Sequence, residues 1–371
     1  MTKLDRTGAS KRRSAYVIAA LVVLACVVLA AGVAACGSSS SSSSSSASAS
    51  SSGSAAAAPS ELRIAYQLIP NGDLVVKHEG WLEKALPNTK ITWVKFDSGS
   101  DVNTAIIGGS IDLGTLGSSP VAAGLSQPMN IPYKVQWIHD VIGAAESLIV
   151  KNSAGVTDIK GLVGKKVGTP FGSTSHYSLL AALELNGVDP SKVKIVDLQP
   201  PDILAAWQRG DIDAAYVWNP TLASLKKDGK VLITSADLAK QGKLTADLSA
   251  VTNDFASKYP DVVQTWVNEE NRAVELYNSD PQAAATDVGA ELNISPADAL
   301  SQMKDLIFLT AAQQAGADYL GSPDSPGKLA NNLESASQFL KAQGSVQGVP
   351  PLSTFQADLA NQFVANATSG Q

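Results

Sequence analysis

The chain has two cysteines, three histidines and, beyond its first few dozen residues, very little arginine. Cys26 and Cys36 both lie near the start, so the main body has neither a disulfide framework nor a thiol nucleophile. His78, His139 and His176 are widely separated and show no cysteine or carboxylate spacing suited to a metal, so no metal and no cofactor are expected. Gly161-Leu162-Val163-Gly164-Lys165-Lys166 lacks the spacing of a phosphate-binding loop. After Cys36 only Arg63, Arg209 and Arg272 remain, which disfavours a bidentate clamp for carboxylate or phosphate. His176 follows a serine cluster, but adjacent positions on a helix point apart, so it reads as a loop-fixing residue rather than half of a nucleophilic pair. Catalysis therefore has little footing, and an enzyme is not expected.

What is present begins with an export pattern. A basic run (Lys3, Arg6, Lys11, Arg12, Arg13) precedes an apolar segment over residues 16–35. Val33-Ala34-Ala35-Cys36 then fits a bacterial lipobox, with Cys36 as the lipid-bearing N-terminus after cleavage. Val23-Leu24-Ala25-Cys26 fits less well because it would halve the apolar segment, and an uncleaved anchor helix is the alternative. Arg12-Arg13 alone is weak evidence for a twin-arginine signal. Cleavage removes five of the 28 basic and one of the 34 acidic residues, leaving 23 against 33 and a net charge of −10. Such a balance argues against nucleic acid or an anionic membrane surface as partner. Residues 1–35 are thus expected as a lipoprotein signal and residues 36–60, nearly all Ser and Ala, as a flexible tether with a reach of roughly 25–30 Å. The body is expected outside the cytoplasm, held to the membrane by Cys36.

With 371 residues and 44% apolar content, the chain can bury a sizeable core. Strand and helix patterns alternate from Leu62 onward, which predicts an α/β unit with a mostly parallel sheet. About a hundred residues later the order returns: Gly210-Asp211-Ile212-Asp213-Ala214-Ala215 answers Gly109-Ser110-Ile111-Asp112-Leu113-Gly114, and Asn219-Pro220 answers Ser119-Pro120 as N-cap and first helical residue. Two similar lobes are expected, residues 61–144 with 248–371 and residues 145–247, and the chain is expected to cross between them near 142–147 and 247–251. From Asp254 the pattern is helical and is expected to pack onto the first lobe.

Ligands bind at the carboxyl edge of such sheets, so the loops of the two lobes should face one another across a cleft. Ser118 and Ser119 from one lobe and Ser173, Thr174 and Ser175 from the other stand where helices begin, so backbone N–H groups and hydroxyls could hold an anion. No Lys or Arg lies between Lys166 and Lys192. Neutral donors suit a singly charged oxyanion such as a sulfonate. Tyr216, Trp218 and Asp247 could meet a small cation through aromatic faces and a carboxylate; core packing for the aromatics and a solvated acid are the alternatives.

At these residues the sequence resembles a known family. KFDSGSDV, IDLGTLGSSP, GTPFGSTSHYSLLAALELNGV, VDLQPPDILAAWQRGDIDAAYVWNPTLASLKKDGKVL and TADLSAVTNDF are similar to the taurine-binding proteins of bacterial taurine ABC transporters, over about residues 62–259. The resemblance implies a two-lobed periplasmic-binding-protein-like fold of type II with a hinge, closing on taurine and delivering it to a membrane permease. It implies that Ser118, Ser119, Ser173 and Thr174 hold the sulfonate while Gln67, Trp218 and Asp247 surround the amine, in a protein acting as a monomer. Two positions depart from the family: Asn71 stands where an acid is usual, and Leu248-Ser249 replaces a tryptophan. Both lie on the amine side and leave open a receptor for other aliphatic sulfonates. A thiamine-pyrimidine-synthase-like enzyme and a purely structural surface protein are the readings from other classes.

Overall fold

In the computed structural model residues 58–368 are described, so the expected signal, Cys36 and most of the tether lie outside them. Leu62 and Ile64 alternate into the core from β1 (Glu61–Tyr66), which pairs in parallel with β2 (Lys90–Lys95) and β3 (Leu113–Gly117). β4 (Tyr133–Ile142) ends the first pass, and the chain enters a second sheet through β5 (Glu146–Lys151), β6 (Lys166–Thr169), β7 (Lys194–Asp197), β8 (Ala214–Trp218) and β9 (Gly229–Thr234). It then returns as β10 (Ala246–Thr252), and the tail adds β11 (Leu306–Ile307). The orders are β11-β4-β10-β3-β1-β2 and β7-β6-β8-β5-β9.

The internal repeat is visible in the bonding. Asp112 accepts the Arg63 N–H at 2.9 Å beside β1, and Asp213 accepts the Lys166 N–H at 2.8 Å beside β6. Asp112 also takes a bidentate grip from Arg63, at 2.6 and 2.9 Å. The three arginines that follow Cys36 are all spent away from the cleft: Arg209 pairs with Asp211, and Arg272 lies 3.9 Å from the Trp81 ring centroid.

Four expectations need correction. Each sheet is mixed rather than mostly parallel, because β10 runs antiparallel to β3 and β4, and β5 antiparallel to β8 and β9. The first crossing falls where expected, between β4 and β5, but the second is earlier than residues 247–251. Asp247 to Val251 already pair with both β3 and β4, so Asp247 belongs to the first lobe's sheet. The helix Ser118–Leu125 starts two residues early with Gly117 as its cap, and Pro220 precedes the helix Thr221–Leu225 instead of opening it. The tail is helical and packs on the first lobe's core through Val263, Trp266, Leu333 and Phe339, yet it also supplies the short edge strand β11. Among the described residues no helix is long and apolar enough to cross a membrane.

Candidate functional site

The two sheets present their loops to a common small pocket. Gln67, Gly117, Pro120 and Asp247 reach it from the first lobe; Glu146, Ser173, Thr174 and Trp218 reach it from the hinge and the second lobe. Ile69, Ala145 and Leu306 form an apolar floor on which Trp218 and Phe308 pack. Neither Lys nor Arg is among the lining residues, whose only charged groups are Glu146 and Asp247.

Two helix starts point in from opposite sides. Ser118–Leu125 begins after Gly117 and Thr174–Leu185 after Ser173, whose hydroxyl accepts the His176 N–H at 3.2 Å. Gly172, at φ 74°, makes the left-handed turn that swings the chain from β6 into this second helix. His176 fixes the same loop: its ring stacks on Phe171 at 4.5 Å and its Nδ1 accepts the Gly172 N–H at 3.3 Å. The lobes touch, since a Cβ on Gly117 would collide with the Thr174 methyl. Tyr177 of the second helix also meets Phe339 of the tail edge-on at 4.9 Å.

The predicted hydroxyls differ in what they have left to offer. Ser173 Oγ donates to the Pro170 carbonyl at 2.6 Å. Ser118 Oγ accepts the Ala246 N–H at 3.2 Å and keeps its own proton to give. Ser119 Oγ is fully buried with no partner among the described residues. Thr174 Oγ1 donates to Glu146 Oε2 at 2.6 Å, so this residue's remaining donor is its backbone N–H. Gln67 Nε2 donates to the Thr115 carbonyl at 3.0 Å. Tyr216 is not in the pocket: it is fully buried in the second lobe with its hydroxyl 3.1 Å from Ser235 Oγ, so its expected place beside a cation is wrong. Strand alternation does not separate it from Trp218, two residues on; position along β8 does, because Trp218 is the strand's last residue, where the sheet opens.

Glu146 is the site residue that sequence reasoning missed. It is fully buried, lies opposite Trp218 across β5 and β8, and accepts hydrogen bonds from Thr174, Ser175 and Ser235 at 2.6–2.9 Å and from Ser178 at 3.4 Å. Burial raises its pKa, while the four hydroxyls work against that rise. The only sequence signal was a lone glutamate just before an apolar strand, next to the lobe crossing.

Folding also brings His139 between Asp73 and Glu270, which the sequence spacing concealed. His139 Nδ1 lies 3.3 Å from Glu270 Oε2 and Nε2 lies 3.7 Å from Asp73 Oδ2, all three side chains being buried. Burial pushes both carboxyls up to about 8 and holds the imidazole below its ordinary value. The cluster braces the strands behind the pocket and lines none of it.

Three comparisons bear on this arrangement. The sequence profile described as the substrate binding domain of ABC-type glycine betaine transport systems matches residues 60–293. The taurine-binding periplasmic protein of Escherichia coli (strain K12) is 38% identical over 77% of this chain and 88% of its own length. A putative aliphatic sulfonates-binding protein of Bacillus subtilis (strain 168) is 30% identical over 58% of this chain and 64% of its own length. In structure, the chain is similar to the alkanesulfonate-binding protein of Xanthomonas axonopodis pv. citri bound to MOPS, with a TM-score of 0.67, 22% identity, and coverage of 82% and 99% of the two chains.

Proposed function

Since this chain belongs to the family of substrate-binding domains of ABC-type glycine betaine transport systems, and is thus the solute-binding component of an ABC importer rather than an enzyme, we propose that its ligand is taurine. The sulfonate lies between the two helix starts, Ser118 with Ser119 and Ser173 with Thr174, taking hydroxyl donors from the first pair and the backbone N–H of Thr174 from the second. The ammonium lies toward Gln67, Trp218 and Asp247. The observation that carries this reading is the make-up of the pocket: helix starts from both lobes, two buried acids, Glu146 and Asp247, and no cationic side chain in the lining. A zwitterion satisfies both ends at once. A doubly charged anion such as sulfate meets the carboxylates unshielded, and a quaternary ammonium lacks its cage because Trp218 is the single aromatic residue in the lining.

Because the ligand's two ends contact different lobes, it binds the closed form better and draws the lobes together. The closed protein then meets its permease outside the cytoplasm, as a monomer, held by a lipid on Cys36 and spaced from the membrane by the tether over residues 36–60. Isothermal titration of the protein with taurine tests the ligand, and neither heat nor thermal shift at millimolar taurine removes it. Cys36→Ala tests the anchor, since the variant should leave the membrane fraction. A receptor for other aliphatic sulfonates is the second reading, suggested by the departures from the taurine-binding pattern at Asn71 and Leu248-Ser249; it wins if ethanesulfonate binds as tightly as taurine.

A further inference from the structure

Asp140 does not line the pocket, yet it stands next to a residue that does. β4 and β10 run antiparallel with Asp140 directly opposite Asp247, and both side chains are buried. Two carboxylates buried side by side repel each other, and one proton held between them relieves that repulsion. Asn71 Nδ2 donates to Asp140 Oδ2 at 3.4 Å, while Asp140 Oδ1 has no partner among the described residues.

The groups that act on the pair are all acids. Glu146 faces it from β5 and Asp73 from the helix Gly72–Glu79. His139 precedes Asp140 on its strand and so points to the opposite face, where it meets Thr115, Asp73 and Glu270. Burial is the largest influence, raising Asp140 to about 7 and Asp247 well above its ordinary range, and mutual repulsion adds to the rise of Asp247. With no cation in the lining, the empty pair has only a proton to neutralise it.

Resting on the reading of the cleft as an amino-sulfonate site, we propose that Asp140 and Asp247 act as a paired carboxyl that holds one proton in the empty cleft and releases it to solvent when the ligand's ammonium takes its place. The balance is simple: an ammonium enters as a cation, the one carboxyl O–H bond of the pair breaks, its electron pair stays on the carboxylate and the proton passes to the buffer. Asp140 thereby supplies the second negative charge that position 71, an asparagine, does not. It also makes the site selective, because an alkanesulfonate without an amine leaves the pair protonated and releases nothing.

The test is isothermal titration of the full chain near pH 7 in buffers of different ionisation enthalpy, where the dependence of heat on buffer counts protons. Taurine should release about one proton and ethanesulfonate close to none. Asp140→Asn should move taurine's proton release to lower pH, since Asp247 then loses its charged neighbour. Equal proton counts for the two sulfonates, or a release profile that Asp140→Asn leaves in place, overturns the proposal while the taurine reading survives. Heat with neither sulfonate removes both. The comparison of ligands on the unaltered protein keeps the proposal falsifiable even if Asp140→Asn fails to fold.

Discussion

Gly117 and Thr174, one from each lobe, are packed so closely that a methyl group on the glycine would occupy the space of the threonine's methyl. Gly117 has ordinary extended dihedrals, φ −67° and ψ 161°, so its lack of a side chain serves this approach and not an unusual backbone. The clash made by Gly117→Ala can be relieved by opening the cleft. The expected result is therefore weaker taurine binding, by about 1–3 kcal/mol or roughly ten- to a hundredfold, with little change in unfolding free energy. Thr174→Ser removes the opposing methyl and keeps the hydroxyl that donates to Glu146, so the double variant should regain affinity. Titration together with small-angle scattering checks this: Gly117→Ala should stay extended at taurine concentrations that compact the unaltered protein.

Glu146 ties the second lobe to the hinge. Three of its donors, Thr174, Ser175 and Ser178, sit on one helix and the fourth, Ser235, opens another. Glu146→Ala leaves several buried hydroxyls without their acceptor, at about 1–3 kcal/mol each where no other partner is in reach. A total loss of roughly 3–5 kcal/mol is expected in urea denaturation, against about 1 kcal/mol for Glu146→Gln, which keeps one acceptor oxygen. Equal losses for the two variants would show that these hydrogen bonds carry no weight.

The buried cluster of Asp73, His139 and Glu270 makes stability depend on pH, with a sign that can be worked out. Asp73 and Glu270 are pushed up to about 8 by burial, so the folded state keeps a proton that the unfolded chain has already released above pH 4 to 5. That contribution is fully present below the unfolded values and is lost as pH rises through about 8. His139 is held below its ordinary value, so its effect opposes this, lowering stability as pH falls below about 6.5. Between about pH 7 and 8 the acids act alone and stability should decline by up to ~1.4 kcal/mol per unit for each proton involved, levelling off above that. Asp73→Asn keeps a donor toward Glu270 without a proton to lose. It should flatten that decline by about one proton, as read from urea denaturation at several pH values.

Legibility in the sequence followed how local the determining physics was. β1, β6 and the repeated Asp112 and Asp213 could be read because alternation and turn chemistry are written in a few neighbouring residues. The two hydroxyl-bearing helix starts were readable for the same reason. The mixed sheets were not, because the direction in which β10 joins β3 and β4 depends on a return from the other lobe, more than a hundred residues after β4. Glu146 and Asp140 escaped notice because a buried acid is recognisable only by its partners, and theirs lie 28 to 107 positions away or across a strand pair. Tyr216 and Trp218 looked alike in sequence, and only the place where β8 ends separates the buried ring from the half-buried one that lines the pocket.

Asp247 offers the sharpest test of which end of the ligand goes where. It lines the pocket from β10, its register neighbours are Gly117 on one side and Asp140 on the other, and so it stands between the helix start that would take the sulfonate and the acid that would share the ammonium. Asp247→Asn removes a charged acceptor, and a hydrogen bond to a charged group contributes about 1.5–3 kcal/mol. Taurine affinity should therefore fall roughly ten- to a hundredfold. Ethanesulfonate has the same anionic end and no amine, so its affinity should hold or improve, because the variant removes a nearby negative charge. The measurement is a pair of titrations on each protein, and the quantity that matters is the ratio of the two affinities. If both ligands lose equally, Asp247 supports the pocket's shape without recognising an amine, and the orientation of taurine in the cleft must be reversed or given up.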